Sequence, residues 1–152
     1  MKKFLKLVLP LLLIVGVLVG CGNSVTKKKF TSEQNNTKSE LTYYAHGDDV
    51  FKQTAKNTVD YSSVDESQID AFKTQLKAAA DKYQGIKGVK EKLSFDDKKK
   101  VLTETLTVDY EKVDKKKLKG IPGMIGDFKE GKKISLKESE KLLKKSGFKE
   151  KK

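Results

Sequence analysis

The sequence predicts an α+β domain in two layers, with an antiparallel sheet of four or five strands and two main helices packed on one face. Three observations predict it. Short runs of alternating polarity come in pairs separated by turn residues. One segment between the pairs and one near the end repeat their apolar residues at helical intervals. The paired runs stand too close for crossover helices, so only the first long helix has room to serve as one and parallel winding is disfavoured.

Taken in order, residues 30–34 open a strand, and residues 41–46 alternate so that Leu41, Tyr43 and Ala45 share a face. His46-Gly47-Asp48-Asp49 turns the chain, and residues 50–61, rich in Thr and Val, return as a half-exposed strand. Ser63 and Glu66 have the spacing of a capping box. Ile69, Phe72, Leu76, Ala79, Ala80 and Tyr83 then recur at helical intervals until Gly85, predicting a helix of about five turns. A second hairpin follows. Residues 89–95 put Val89, Leu93 and Phe95 on one face, residues 101–110 put Leu102, Leu106, Val108 and Tyr110 together, and a charged turn at 96–100 joins them. Residues 113–118 predict a short helical turn. The last helix has Ser135 and Glu138 as its capping box, Leu136, Leu142 and Leu143 as its apolar residues, and Gly147 as its stop, with Phe148 folding back.

The first twenty residues differ in kind. Lys2, Lys3 and Lys6 make a basic start, and residues 7–20, with Pro10 among them, carry no charge. That stretch is shorter than the roughly 20 apolar residues needed to cross a bilayer, so it reads as the apolar region of a signal peptide. It ends in Leu18-Val19-Gly20-Cys21, which resembles the lipobox of bacterial lipoproteins. Only a thiol at that position forms a thioether with a diacylglyceryl donor, and Gly20 leaves the peptidase free access to the backbone. The competing reading is an uncleaved signal anchor with an incidental thiol. The expected organisation is a signal peptide at 1–20, a lipidated N-terminus and tether at 21–29, one domain at 30–149 and a solvated tail at 150–152. The expected location is the membrane, lipid-anchored and facing the extracytoplasmic side, with a diacylglyceryl group, with or without an N-acyl chain, on Cys21. Two or more acyl chains suffice to hold it there.

Composition limits the chemistry. The chain of 152 residues has 33 Lys and no Arg against 21 acids, a net charge of +12, with one Cys and one His. The 30 lysines beyond the leader against the same 21 acids leave +9, so the basic excess belongs to the domain. One Cys excludes an internal disulfide framework, and with one His it cannot furnish a zinc site. Serine-histidine and cysteine-histidine catalysis are disfavoured for the same reason. His46 reads as an exposed strand end. Asp48-Asp49 and Asp96-Asp97 would gather calcium only if their turns met, and hairpin turns carry Asp anyway, so no metal and no other cofactor is expected. The lysine excess fits anionic envelope polymers or lipid headgroups, against the plainer reading of a solvated coat. Without Arg the specific version loses bidentate phosphate recognition. Export, and the lack of an aromatic stripe among the basic residues, argue against nucleic acid. In the loop at 120–126, Ile121, Met124 and Ile125 either plug the core or line a contact, and the plug is the simpler reading.

Several motifs then carry a resemblance: Gln53-Thr-Ala-Lys-Asn-Thr58, Tyr83-Gln-Gly-Ile-Lys-Gly-Val89, Val108-Asp-Tyr110, the segment from Leu118 to Met124 ending in Ile-Pro-Gly-Met, the segment from Ser135 to Leu143, and Gly147-Phe148. Together with the lipobox they are similar to the YehR-like bacterial lipoproteins over nearly the whole chain after the leader. The resemblance implies a small two-layer α+β domain and no catalytic residues. The function expected is a non-catalytic binding or envelope-interaction module. The alternative is a cell-envelope hydrolase or transferase using carboxylates, which needs two close carboxylates in a pocket. A purely structural spacer is the third reading.

Overall fold

Two asparagines set the first hairpin. Asn35 and Asn36 take φ of 48° and 61°, the pair of left-handed conformations a two-residue type I′ turn requires, and Asn tolerates them better than most residues. The computed structural model describes residues 24–118 and 133–151. In it this turn joins β1 (Val25–Gln34) to β2 (Thr37–His46), in unbroken antiparallel register from Val25 opposite His46 to Gln34 opposite Thr37.

Gly47, with φ of 61°, opens the next two-residue loop, and β3 (Asp49–Asp60) returns along β2. The register shifts at Tyr44 and Ala45, which face Lys52 and Val50, so Phe51 is the extra residue of a bulge. β4 (Val89–Asp96) and β5 (Val101–Asp109) form the second hairpin, β5 pairs with β3, and β6 (Lys149–Lys151) pairs with β1. The strand order is β4-β5-β3-β2-β1-β6, antiparallel throughout.

The sheet therefore has six strands where four or five were expected. Residues 25–29, read as tether, are the first half of β1, and residues 149–151, read mainly as tail, are β6. Their polarity hid them, because no apolar alternation marks a strand whose charges find partners. Lys28 points to the helix side and pairs with Glu140 at 2.5 Å and Glu150 at 3.5 Å.

Two helices cover one side of the sheet. α1 (Ile69–Ala80) is flanked by 3₁₀ turns at Glu66–Gln68 and Asp81–Tyr83, so the regular helix is shorter than the periodicity suggested. Its entry is capped by Asp65, not Ser63: the Asp65 carboxylate accepts from the Ser67 amide at 2.9 Å and from its hydroxyl at 2.6 Å. After the short α2 (Lys115–Leu118), α3 (Leu136–Lys145) has the expected cap, Ser135 Oγ accepting from the Glu138 amide at 3.2 Å. Leu142, read as a core residue of this helix, is instead 37% exposed. Neighbouring positions on a helix lie about 100° apart, so Leu143 takes the buried place alone.

The apolar contacts form two clusters. One joins Phe30, Leu41, Tyr43, Val108, Leu118, Ile134 and Leu143; the other joins Val59, Tyr61, Phe72, Leu76 and Leu102 under α1. Each fully buried aromatic or aliphatic side chain there contributes roughly 1.5–3 kcal/mol. No described helix is long and apolar enough to cross a membrane.

Candidate functional site

Alternation gives the sheet a second side that no described helix or strand covers. There the register lines up Lys29, Thr42, Thr54, Thr107 and Lys90 in one row across five strands. The next row is Thr31, Glu40, Lys56, Thr105 and Lys92. Neighbouring strands lie about 4.8 Å apart, so each row spans roughly 19 Å. β-Branched threonine suits a pleated surface; Thr105 is exposed and Thr31, Thr54 and Thr107 are half-buried, while Thr42 is buried. Lys29 pairs with Glu40 and holds that carboxyl below its ordinary range; Lys56, Lys90 and Lys92 are exposed. The result is an open, basic surface with threonines set between its lysines. It suits an extended anionic chain better than a small molecule, which needs concavity.

At one end of this side the bulge turns Phe51 toward Tyr44 and His46. The His46 and Phe51 rings stack with centroids 4.6 Å apart, and Phe51 lies 6.5 Å from Tyr44. Lys27 and Lys52 each hold Nζ over the Tyr44 ring, at 5.7 and 5.3 Å.

The helix-facing side carries a polar seam between the two apolar clusters. Ser32, Ser39, Asn57 and Glu104 are in register across four strands, and the Asn57 amide donates to Glu104 Oε2 at 2.8 Å. Glu91, on β4, faces the same side and accepts weakly from the Gln84 amide at 3.4 Å. Burial, with the charges of Glu104 and Asp81, pushes the Glu91 carboxyl up to about 7. Burial also raises Glu104, with Asn57 opposing the shift. The Tyr83 hydroxyl is raised by burial and by both carboxylates.

The residues singled out from the sequence fare differently. Leu18, Val19, Gly20 and Cys21 lie outside the described residues, as do Ile121, Met124 and Ile125. His46 is exposed at a strand end, stacked on Phe51. The two aspartate pairs do not meet: Asp48-Asp49 and Asp96-Asp97 close opposite ends of the sheet. They also have partners. Asp48 accepts from Ser135 Oγ at 2.7 Å and from the Lys137 amide at 2.9 Å. Asp49 pairs with Lys133 at 2.7 Å, and Asp97 with Lys73 at 2.5 Å and the Tyr61 hydroxyl at 2.7 Å. Sequence reasoning passed over Glu91 and Glu104. The signal was there, since both occupy inward positions in the alternations used to assign β4 and β5.

A protein family described as of unknown function, DUF1307, matches residues 26–149. The chain belongs to this family. The match runs from the second residue of β1 to the first of β6, which is the folded unit described above. An uncharacterised lipoprotein of Listeria monocytogenes is 42% identical, over 94% of this chain and 92% of that protein. The uncharacterised lipoprotein YehR of Escherichia coli is 38% identical, over 98% and 96%. The NMR structure of YehR superimposes with a TM-score of 0.67 at 36% identity, covering 85% of this chain and 92% of that one. A Streptococcus pneumoniae protein shares the DUF1307 fold at TM-score 0.58 and 14% identity, covering 90% and 92%. The YehR-like resemblance carried by the motifs therefore holds across the DUF1307 domain.

Proposed function

We propose that the protein is a lipid-anchored, non-catalytic module of the cell envelope that binds anionic envelope polymers on the open side of its sheet. The observation that carries this reading is the pair of lysine-threonine rows. Lysines from three strands, β1, β3 and β4, reach one open surface, threonines fill the space between them, and the acid within the rows, Glu40, is paired. A phosphate- or carboxylate-bearing chain laid across the rows meets point charges and hydroxyls together, and lysine without arginine gives attraction with little geometric selectivity. Anchoring rests on the lipobox ending at Cys21 and on the lipoprotein relatives.

Two measurements test the reading. Cells making the Cys21→Ser chain should lose incorporation of labelled fatty acid and release the protein from the membrane fraction; retention at the processed size contradicts anchoring. The soluble form, starting after Cys21, should bind long-chain polyphosphate and not neutral dextran, with an affinity that falls steeply with salt. Equal binding to dextran contradicts the charge-based surface.

The Glu91–Glu104 pair supports the alternative reading, an envelope hydrolase or transferase using carboxylates, because a carboxyl poised near neutrality is what general acid catalysis requires. Loss of an envelope-modifying activity in both Glu91→Gln and Glu104→Gln, with folding intact, would establish it.

A further inference from the structure

We infer that the end of the sheet bearing Val25, Tyr44, His46 and Phe51 rests on the headgroups of the membrane that holds Cys21. The inference builds on the proposed lipidation of that residue. Only Gly22, Asn23 and Ser24 separate Cys21 from the first residue of β1. Four extended residues span at most about 14 Å, and the headgroup layer itself is roughly 5–7 Å deep on each side of the hydrocarbon. The anchor therefore ties one particular end of the sheet to the lipid surface, and no free tether lifts the domain away.

That end has the chemistry of an interface. Val25 is 54% exposed, and it lies opposite His46, whose ring stacks on Phe51. Tyr44 presents an apolar body with a polar tip, as residues at lipid–water boundaries do. Lys27 and Lys52 flank it, and neither makes an ion pair among the described residues. Three of the acids nearby are engaged: Asp48 caps α3, Asp49 pairs with Lys133, and Asp109 pairs with Lys112 at 2.6 Å, while Glu111 is exposed. Two unpaired cations beside an aromatic cluster match anionic phospholipid, each lysine near such a surface being worth a severalfold gain in binding. In this orientation the strands rise from the membrane and the lysine-threonine rows run parallel to it, above the anchored end.

The chain has no Trp, so one introduced Trp reports position without background. Full-length lipidated protein is reconstituted into phosphatidylcholine vesicles containing phosphatidylglycerol, with spin-labelled headgroups as quencher. Phe51→Trp, with Val25→Trp as a second reporter in case the bulge is disturbed, marks the anchor end. Ser94→Trp marks the far end of the same side, about 20 Å away along the strands. The expected result is stronger quenching at both anchor-end reporters than at Ser94→Trp, with the excess lost on adding Lys27→Glu and Lys52→Glu. Equal quenching at the two ends, or an excess indifferent to charge reversal, overturns the inference while leaving the anchor intact. Failure of the full chain to float with vesicles, or flotation unaffected by Cys21→Ser, removes the lipidation reading and this inference with it.

Discussion

Glu91 and Glu104 stand diagonally across the β4–β5 ladder, Glu91 opposite Leu106 and Glu104 opposite Leu93, with both side chains turned toward the helices. Diagonal neighbours on one face lie roughly 7–8 Å apart, near enough for two long carboxylates to repel. Burial is the larger cause and that repulsion adds to it, so the Glu91 carboxyl rises from 4.5 to about 7. The folded chain then keeps a proton that the unfolded chain releases, so the contribution of Glu91 to stability is full below about pH 4.5 and is lost as pH rises through 7. Glu91 is half-buried, and solvent screening reduces the effect to about 1 kcal/mol. Glu91→Gln should raise the unfolding midpoint at pH 8 and flatten its slope between pH 5 and 7, about 1 kcal/mol in all. Urea titrations across that range check it, and an unchanged slope would contradict the coupling.

The cap of α3 is built from two chain segments. Asp48 accepts from Ser135 Oγ, and Ser135 Oγ accepts from the Glu138 amide, so each holds the other in place. Either Asp48→Ala or Ser135→Ala should cost about 1 kcal/mol, and the double variant less than the sum by roughly 0.5 kcal/mol. Additive losses in a double-mutant cycle would show that the two act separately.

Gly85 and Gly88 separate two causes of glycine preference. Both have positive φ, 75° and 82°, but a Cβ at Gly85 meets open space while one at Gly88 would lie 2.9 Å from the Asp109 carbonyl oxygen and from the Val113 nitrogen. The Gly88 carbonyl also accepts from the Asp109 amide at 2.8 Å. Gly85→Ala should cost about 1 kcal/mol, the backbone strain alone. Gly88→Ala should cost more, about 2–4 kcal/mol, because backbone has to move. Thermal unfolding of the two variants compares them directly, and equal losses would refute the close approach.

Much of this fold was legible in the sequence because its core elements carry contrast. Leu41, Tyr43 and Ala45 on β2, and Phe72 and Leu76 on α1, alternate or recur against polar neighbours and are buried as the pattern required. Residues 25–29 and 149–151 offered no contrast, since lysines and glutamates occupy both sides of those strands and reach partners that only the fold supplies. The open surface was legible only as a lysine excess. Its rows arise from register between strands far apart in sequence, Lys29 and Lys90 among them, which composition does not encode. Glu91 and Glu104 occupy inward positions of the same alternations, but their apolar neighbours carry the pattern.

The central claim is that charge placed by the fold, not total charge, makes the open side a binding surface. The direct measurement is polyphosphate affinity, at near-physiological salt, of two variants with equal net charge. One replaces Lys56, Lys90 and Lys92 on the open side by Gln, and the other replaces Lys137, Lys141 and Lys144 on α3 by Gln. The account predicts at least a tenfold loss, about 1.4 kcal/mol, for the first and little change for the second. Equal losses in the two variants would mean that the lysines act as an undifferentiated coat.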